Sequence, residues 1–210
     1  MKTILWNVDT QYDFMRNDES FKGALPIAGA RTIEGNLERL TRYARQNNIQ
    51  VVNSADWHNE NSAELSDNPD LKTTFPKHCM QDTPGAEFVP ATKPEESYVL
   101  DWQKKGFDSE RARNERNIVL LKDRFDVFSG TPHAEEVLRV LNPGRAIVYG
   151  VATNVCVDCA VRGLLERGVE VYVPLDAIRE LPGLPLPYEN WQKKRAKLVT
   201  TEDVVGGRIW

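Results

Sequence analysis

Cysteine and histidine are scarce in this chain, with three of each among 210 residues. So small and odd a number of cysteines does not form a disulfide framework, and reduced thiols are expected. Long apolar runs are missing as well, and nothing approaches the roughly 20 residues that span a bilayer. The N-terminal stretch MKTILWNVDTQYDF carries one Lys and a short apolar segment, and reaches Asp9 too early for a secretory leader. A cytoplasmic location is expected, with no membrane partner. Positive charge is not in excess either. Lys and Arg number 27 against 31 Asp and Glu, a net charge of −4, which argues against a nucleic-acid partner. There is no internal repeat and no low-complexity tract. What is present, 40% hydrophobic and 28% charged residues, is the composition of a globular protein. The length suits a single domain over residues 1–210.

Apolar runs and helical periodicities alternate along the chain. TILWNV (3–8), IQVVN (49–53), IVLL (118–121), AIVY (146–149), residues 169–173 and residues 197–200 predict six strands. Ile33, Leu37, Leu40 and Ala44 recur at helical spacing and predict a helix over about 32–46, and others are expected over 133–141, 155–167 (ended by Gly168) and 188–196. The resulting class is α/β, a three-layer α/β/α sandwich around a six-stranded parallel sheet. A long irregular region reaches about residue 90, and such a loop in a compact domain is usually functional. The charged stretch 91–117 has no assignable role.

In such sheets, sites form outside the carboxyl ends of the strands. Asp9 follows the first expected strand, Asp56 and His58 the second, Lys122 the third, and Cys156 the fourth. Cys156 opens a helix, where the positive end of the helix dipole favours a thiolate and free N–H groups can receive an oxyanion. A small buried cysteine is the plainer reading. Cys156 and Cys159 also spell C-x-x-C, but late in the chain and with Val157 and Asp158 between them. Asp9 and Lys122 read equally as a buried ion pair or as the acid–base partners of a nucleophile. Asp13 and Asp123 read as surface or turn residues. In SADWHNEN, Asp56 and His58 are two apart and face the same way on extended chain. His78 comes from the same long loop, in FPKHCMQDTPGAEF. Two imidazoles and a carboxylate with open positions suit Zn²⁺, Fe²⁺ or Mn²⁺. His133 follows Pro132 at a helix start and reads as structural.

These segments resemble the nicotinamidases, a branch of the isochorismatase-like cysteine hydrolases. The resemblance rests on VDTQYDF, ADWH, FPKHCMQDTPGAEF, the Lys of LLKDRFDVFSG, and GVATNVCVDCAVRGLLERGVEVYV, which span residues 4–176 in the family's order. It implies a triad of Asp9, Lys122 and Cys156, an oxyanion hole from the backbone N–H groups of Ala152 and Cys156, and one divalent ion on Asp56, His58 and His78. It also implies a cis peptide at Val151–Ala152, with Phe14 and Phe75 as walls for a substrate ring. The expected activity is hydrolysis of nicotinamide to nicotinate and ammonia through a thioester, a step of NAD salvage, with no organic cofactor. The expected partners are a small-molecule amide and further copies of the chain. Another amidohydrolase of the superfamily, acting on a carbamoyl or ureido group, is the alternative, followed by a vinyl-ether hydrolase and a non-catalytic binding or redox module. This chain departs from the nicotinamidase pattern after ADWH, at Phe75, in the segment 91–117, and at Phe128-Ser129-Gly130-Thr131, positions the resemblance places near the substrate pocket.

Overall fold

Eight parallel strands form one sheet in the computed structural model, which describes residues 1–209; Trp210, the end of the expected domain, lies outside the described residues. The strands are β1 (Thr3–Val8), β2 (Val51–Asp56), β3 (Ser97–Asp101), β4 (Asn117–Lys122), β5 (Arg145–Val151), β6 (Glu170–Pro174), β7 (Ile178–Arg179) and β8 (Lys197–Val199). Their order across the sheet is β3-β4-β2-β1-β5-β6-β8, with the two-residue β7 pairing β5. Helices α2 (Glu34–Gln46) and α8 (Thr201–Val205) pack together in one layer. A second layer consists of α3 (Ser109–Asn114), α4 (Val127–Gly130), α5 (His133–Leu141) and α6 (Cys156–Glu166). Two short helices, α1 (Tyr12–Met15) and α7 (Tyr188–Lys193), complete the fold.

The central strands are buried on both faces. Ile4, Leu5, Trp6 and Val8 of β1, and Ala146, Ile147 and Val148 of β5, are all at most 1% exposed. Continuous apolar runs of this kind belong to parallel sheets covered by helices on both sides.

The sheet has eight strands where six were expected. The difference lies in β3 and β7. β3 is an edge strand inside the charged stretch 91–117. Tyr98 and Leu100 face inward while Val99 is 51% exposed, so only alternate residues are apolar-facing and the charged flanks hide the pattern. β7 is too short to leave a periodicity. Helix α3 also lies in that stretch, so the segment without an assigned role builds the sheet's far edge.

Strand registry aligns the strand ends. Val8 stands opposite Ser54 and Gly150, and Asp56 opposite Lys122. After β4 the chain crosses over to β5, on the other side of β1. This reversal opens the crevice in which such folds place their ligands.

Candidate active site

Lys122 sits at the centre of the crevice. It is fully buried, and its Nζ lies 2.9 Å from Asp9 Oδ2 and 4.0 Å from Cys156 Sγ, and hydrogen-bonds Asp56 Oδ1. A buried ammonium needs charge partners. Burial alone would lower its pKa, but Asp56 and then Asp9 overrule it and hold Lys122 well above the usual lysine range. The ammonium is therefore favoured over the neutral amine, and it joins the two carboxylates into one charge cluster. Asp9, Asp56 and Cys156 come within metal-ligand spacing of one another, but Lys122 already occupies the space between them.

Asp9 adopts a left-handed backbone, φ 49°, as the chain leaves β1; Asp tolerates this region better than most residues. Its Oδ1 accepts a 2.7 Å hydrogen bond from Ser54, and Oδ2 pairs with Lys122 while accepting no hydrogen bond. Burial raises the Asp9 pKa above the usual carboxylate range, against the pull of Lys122 and with the push of Asp56. Asp9 is thus a stronger base than an exposed aspartate, with Oδ2 held by Lys122 and its carboxylate beside the Cys156 thiol.

Cys156 begins α6. Burial pushes its thiol well above the usual range; Lys122 opposes this, and the charges of Asp9 and Asp56 reinforce it. The resting thiol is neutral, so an attack by sulfur requires an adjacent base, and Asp9 interacts with it directly. The peptide Val151–Ala152 is cis. In the turn that follows, the N–H groups of Thr153, Val155 and Val157 bond to carbonyls, whereas those of Ala152 and Cys156 take no part in these bonds. Both residues line one small pocket together with Phe14, Phe75, Asp56 and His78.

Beside the Lys122 cluster, Asp56, His58 and His78 converge. Asp56 Oδ2 lies 3.5 Å from His78 Nε2 and 3.9 Å from His58 Nε2. The other ring nitrogens are anchored: His58 Nδ1 lies 3.3 Å from Asp123 Oδ1, and His78 Nδ1 lies 2.7 Å from the Pro76 carbonyl. Anchoring of this kind turns both Nε2 lone pairs inward, as around metal-bound imidazoles. His58 Nε2 is buried without a hydrogen-bond partner. An orphaned buried acceptor costs about 1–3 kcal/mol, and a divalent cation between these three groups would satisfy it. The donor set of two nitrogens and one carboxylate fits zinc or a similar ion. Burial would raise the Asp56 pKa, but Lys122 and the two imidazoles outweigh it, so Asp56 stays ionised, as a metal ligand must.

Several positioning groups were not expected from the sequence. Asp13 and Asp123, read as surface or turn residues, are built into the site. Asp13 is buried because Gly85 offers no side chain there, where a Cβ would collide with its carboxylate. It accepts N–H bonds from Ala24 (2.9 Å) and Cys79 (2.7 Å), fixing the residue next to His78. Asp123 receives hydrogen bonds from the His58 ring and the Ser62 hydroxyl. Gln11 clamps the Asp56 backbone from both sides, accepting from its N–H at 2.8 Å and donating to its carbonyl at 2.7 Å. Glu64 lines the pocket at 6% exposure, with both oxygens 2.8 Å from the Phe125 N–H. Burial raises its pKa to about 7. The departure at residues 128–131 does not border this pocket: Phe128 packs against Trp6 and beneath Arg167. His133 is structural, its ring held by Glu136 and the Lys104 carbonyl. Cys159 is held near Arg162 in α6, with its thiol raised by burial to about 11.

Known proteins resemble this chain in sequence and fold. Over 88 residues the chain is 33% identical to the nicotinamidase/pyrazinamidase of Mycobacterium tuberculosis, a match covering 40% of this chain and 42% of that one. The zinc complex of the Pyrococcus horikoshii pyrazinamidase superposes with a TM-score of 0.72 at 26% identity, over 95% of this chain and 99% of that one. The N-carbamoylsarcosine amidase of Thermoplasma acidophilum shares the fold, with a TM-score of 0.73 at 19% identity, over 96% of this chain and 98% of that one. The isochorismatase domain model matches residues 3–202, nearly the whole chain, which therefore belongs to the isochorismatase domain family.

Proposed function

We propose that this protein is a metal-dependent cysteine amidohydrolase that converts nicotinamide to nicotinate and ammonia. The observation that carries this reading is Lys122, whose ammonium ties Asp9 beside the Cys156 thiol to Asp56 of the neighbouring His-His-Asp cluster. Nucleophile, base and cation site thus share one buried charge network. The M. tuberculosis and P. horikoshii relatives, described as a nicotinamidase/pyrazinamidase and a pyrazinamidase, support the substrate class. A cytoplasmic location suits the three unpaired thiols.

In this mechanism Asp9 takes the thiol proton as Cys156 Sγ attacks the carboxamide carbon. The N–H groups of Ala152 and Cys156 receive the oxyanion. Lys122 keeps its proton throughout and offsets the negative charge gathered between Asp9 and the sulfur. Asp9 then gives the proton to the departing nitrogen, the C–N bond breaks, and ammonia leaves a thioester on Cys156. Asp9 next deprotonates a water that attacks the thioester carbonyl, releasing the acid and restoring the thiol. Asp56, His58 and His78 would hold one divalent ion, with zinc, iron or manganese as candidates. When bound, that ion supplies a Lewis-acidic position for a ring nitrogen of the substrate. Phe14 and Phe75 flank His78, with ring centroids 5.3 and 6.1 Å away, and wall the ring.

Ammonia release, measured in parallel from nicotinamide, pyrazinamide and benzamide with metal supplied, tests the reading. The first two are expected to react and benzamide to react far more slowly, because a site built for a polar contact rejects an analogue lacking it. Cys156→Ala is expected to abolish release while the protein stays folded, and Cys159→Ala to retain it. Equal rates on nicotinamide and benzamide would overturn the role given to the ring nitrogen. Release from a carbamoyl or ureido compound alone would move the substrate to that class, and an active Cys156→Ala enzyme would end the covalent mechanism.

A further inference from the structure

A second cleft, of about 200 Å³, opens at the amino ends of β2 and β4, the edge of the sheet opposite the candidate active site. One wall is α2, with Arg42 and Arg45; the other is the segment 90–95 that leads into β3. Arg116, just before β4, closes one end. Four cations face the cleft, Arg42, Arg45, Lys93 and Arg116, against two carboxylates, Glu38 and Glu95. In a chain of net charge −4, this is a local excess of positive charge.

The geometry resembles an anion site with a carboxylate as its provisional occupant. Glu95 reaches across the cleft and bridges two guanidiniums from different walls, Arg45 at 3.2 Å and Arg116 at 3.7 Å. Its side chain is 65% exposed, so it can swing away at little cost. Arg42 forms no hydrogen bond or ion pair among the described residues. The floor is polar although buried: Asn53, Thr92 and Asn117 are each at most 3% exposed. The floor is held by its own hydrogen bonds: Asn53 donates to the Val51 and Ile118 carbonyls at 3.4 and 3.3 Å and accepts from Asn7 at 3.1 Å, Thr92 shares a 2.7 Å bond with Thr10, and Asn117 donates to the Glu95 carbonyl at 2.6 Å. Guanidiniums from two walls, already bridged by one carboxylate and joined by an unpaired Arg42, supply the charge and forked donors that a phosphate needs.

We propose that this cleft binds a small phosphate-bearing anion, which displaces Glu95 from between Arg45 and Arg116. The site is remote from Cys156 and does not depend on the reading of the chemistry there.

Isothermal titration of the intact protein with inorganic phosphate, at matched ionic strength in chloride, tests this. Saturable binding of one phosphate per chain is expected, with a Kd of about 1 mM or tighter, weakening as chloride is added. Arg42→Gln removes an unpaired guanidinium and is expected to weaken binding by about tenfold. Glu95→Gln removes the internal competitor and is expected to tighten it. Both side chains are exposed and neither belongs to the catalytic machinery, so hydrolysis without phosphate should be unchanged. Glycerol 2-phosphate in place of phosphate tells the sources apart: tighter binding identifies an organic phosphate, weaker binding the free ion. Absence of saturable binding by either probe, or binding that neither substitution moves, would overturn the proposal.

Discussion

At the scale of single residues, the site is a problem of charge storage. Asp9, Asp56 and Lys122 are each at most 2% exposed, and no one of them is tolerable there alone. With one ammonium between two carboxylates, Asp56 stays ionised while Asp9 gains basicity. Glu64 stands at the rim of this arrangement and has no cation of its own. Burial raises its carboxyl from 4.5 to about 7, the Asp56 charge adds to the rise, and Lys122 opposes it. Between pH 4.5 and 7 the folded metal-free chain therefore holds a proton at Glu64 that the unfolded chain has lost. Its stabilising contribution is complete below pH 4.5 and is lost as pH climbs to about 7, at up to ~1.4 kcal/mol per pH unit. Glu64→Gln cannot lose that proton. Urea unfolding of metal-free wild type and Glu64→Gln across this range should give a stability difference that moves against the wild type as pH rises. A difference independent of pH would show that Glu64 is not held neutral.

At the scale of elements, strand ends deliver the site, and they do so only because neighbouring strands approach closely. Gly150 shows how tight the approach is. Its φ is 119°, and a Cβ there would collide with the Val8 carbonyl oxygen. An alanine at this position would be strained in φ and would push β5 off β1 just before Asp9 and Ala152. Gly150→Ala is expected to cost about 3–5 kcal/mol in urea unfolding and to lower kcat on the amide substrate, because the turn into α6 moves relative to Asp9. Wild-type stability with wild-type kcat would show that the contact between the strands is slack. Element by element, the sequence is legible where a residue's role is set by its own neighbours. The apolar runs of β1, β2, β4, β5 and β6 mark buried strands, and Asp9, Asp56, Lys122 and Cys156 stand at or just past strand ends in the linear sequence. Roles created by distant chain are not legible. Gln11 acts on Asp56, Asp13 on Cys79 and Asp123 on His58, across 45 to 66 residues. No local pattern records that Gly85 leaves room for the Asp13 carboxylate. β3 was hidden for a related reason, since an edge strand needs only its inward residues to be apolar.

At the scale of the whole molecule, the proposed catalytic residues and the proposed metal ligands differ in how firmly they are held. Asp9, Lys122 and Cys156 are fixed by the sheet and by α6. Residues 57–90 contain almost no regular structure. Isolated bridges join His58 with Met80 and Leu65 with Phe75 within the segment, and Phe88 to Gln11 outside it; Asp13 and Asp123 hold it at Cys79 and His58, and His58 and His78 both belong to it. An ion on Asp56, His58 and His78 would therefore pin the long loop to the end of β2 and leave the sheet as it was. Its binding energy would appear as stability, about 2.7 kcal/mol at free metal 100-fold above Kd. Chelation of the purified protein is expected to lower Tm and to speed amide hydrogen exchange in residues 57–90, while exchange in β1, β4 and β5 changes little, because regions with few buried backbone bonds open first. His58→Ala should contain no metal, exchange like the chelated wild type in the loop, and respond to chelator in neither measurement. If chelation removes a bound ion and loop exchange stays as slow as before, the ion serves only the chemistry and packing alone holds the loop. If His58→Ala keeps its ion and its chelator response, the ligand set lies elsewhere, and the assignment of Asp56, His58 and His78 falls with it.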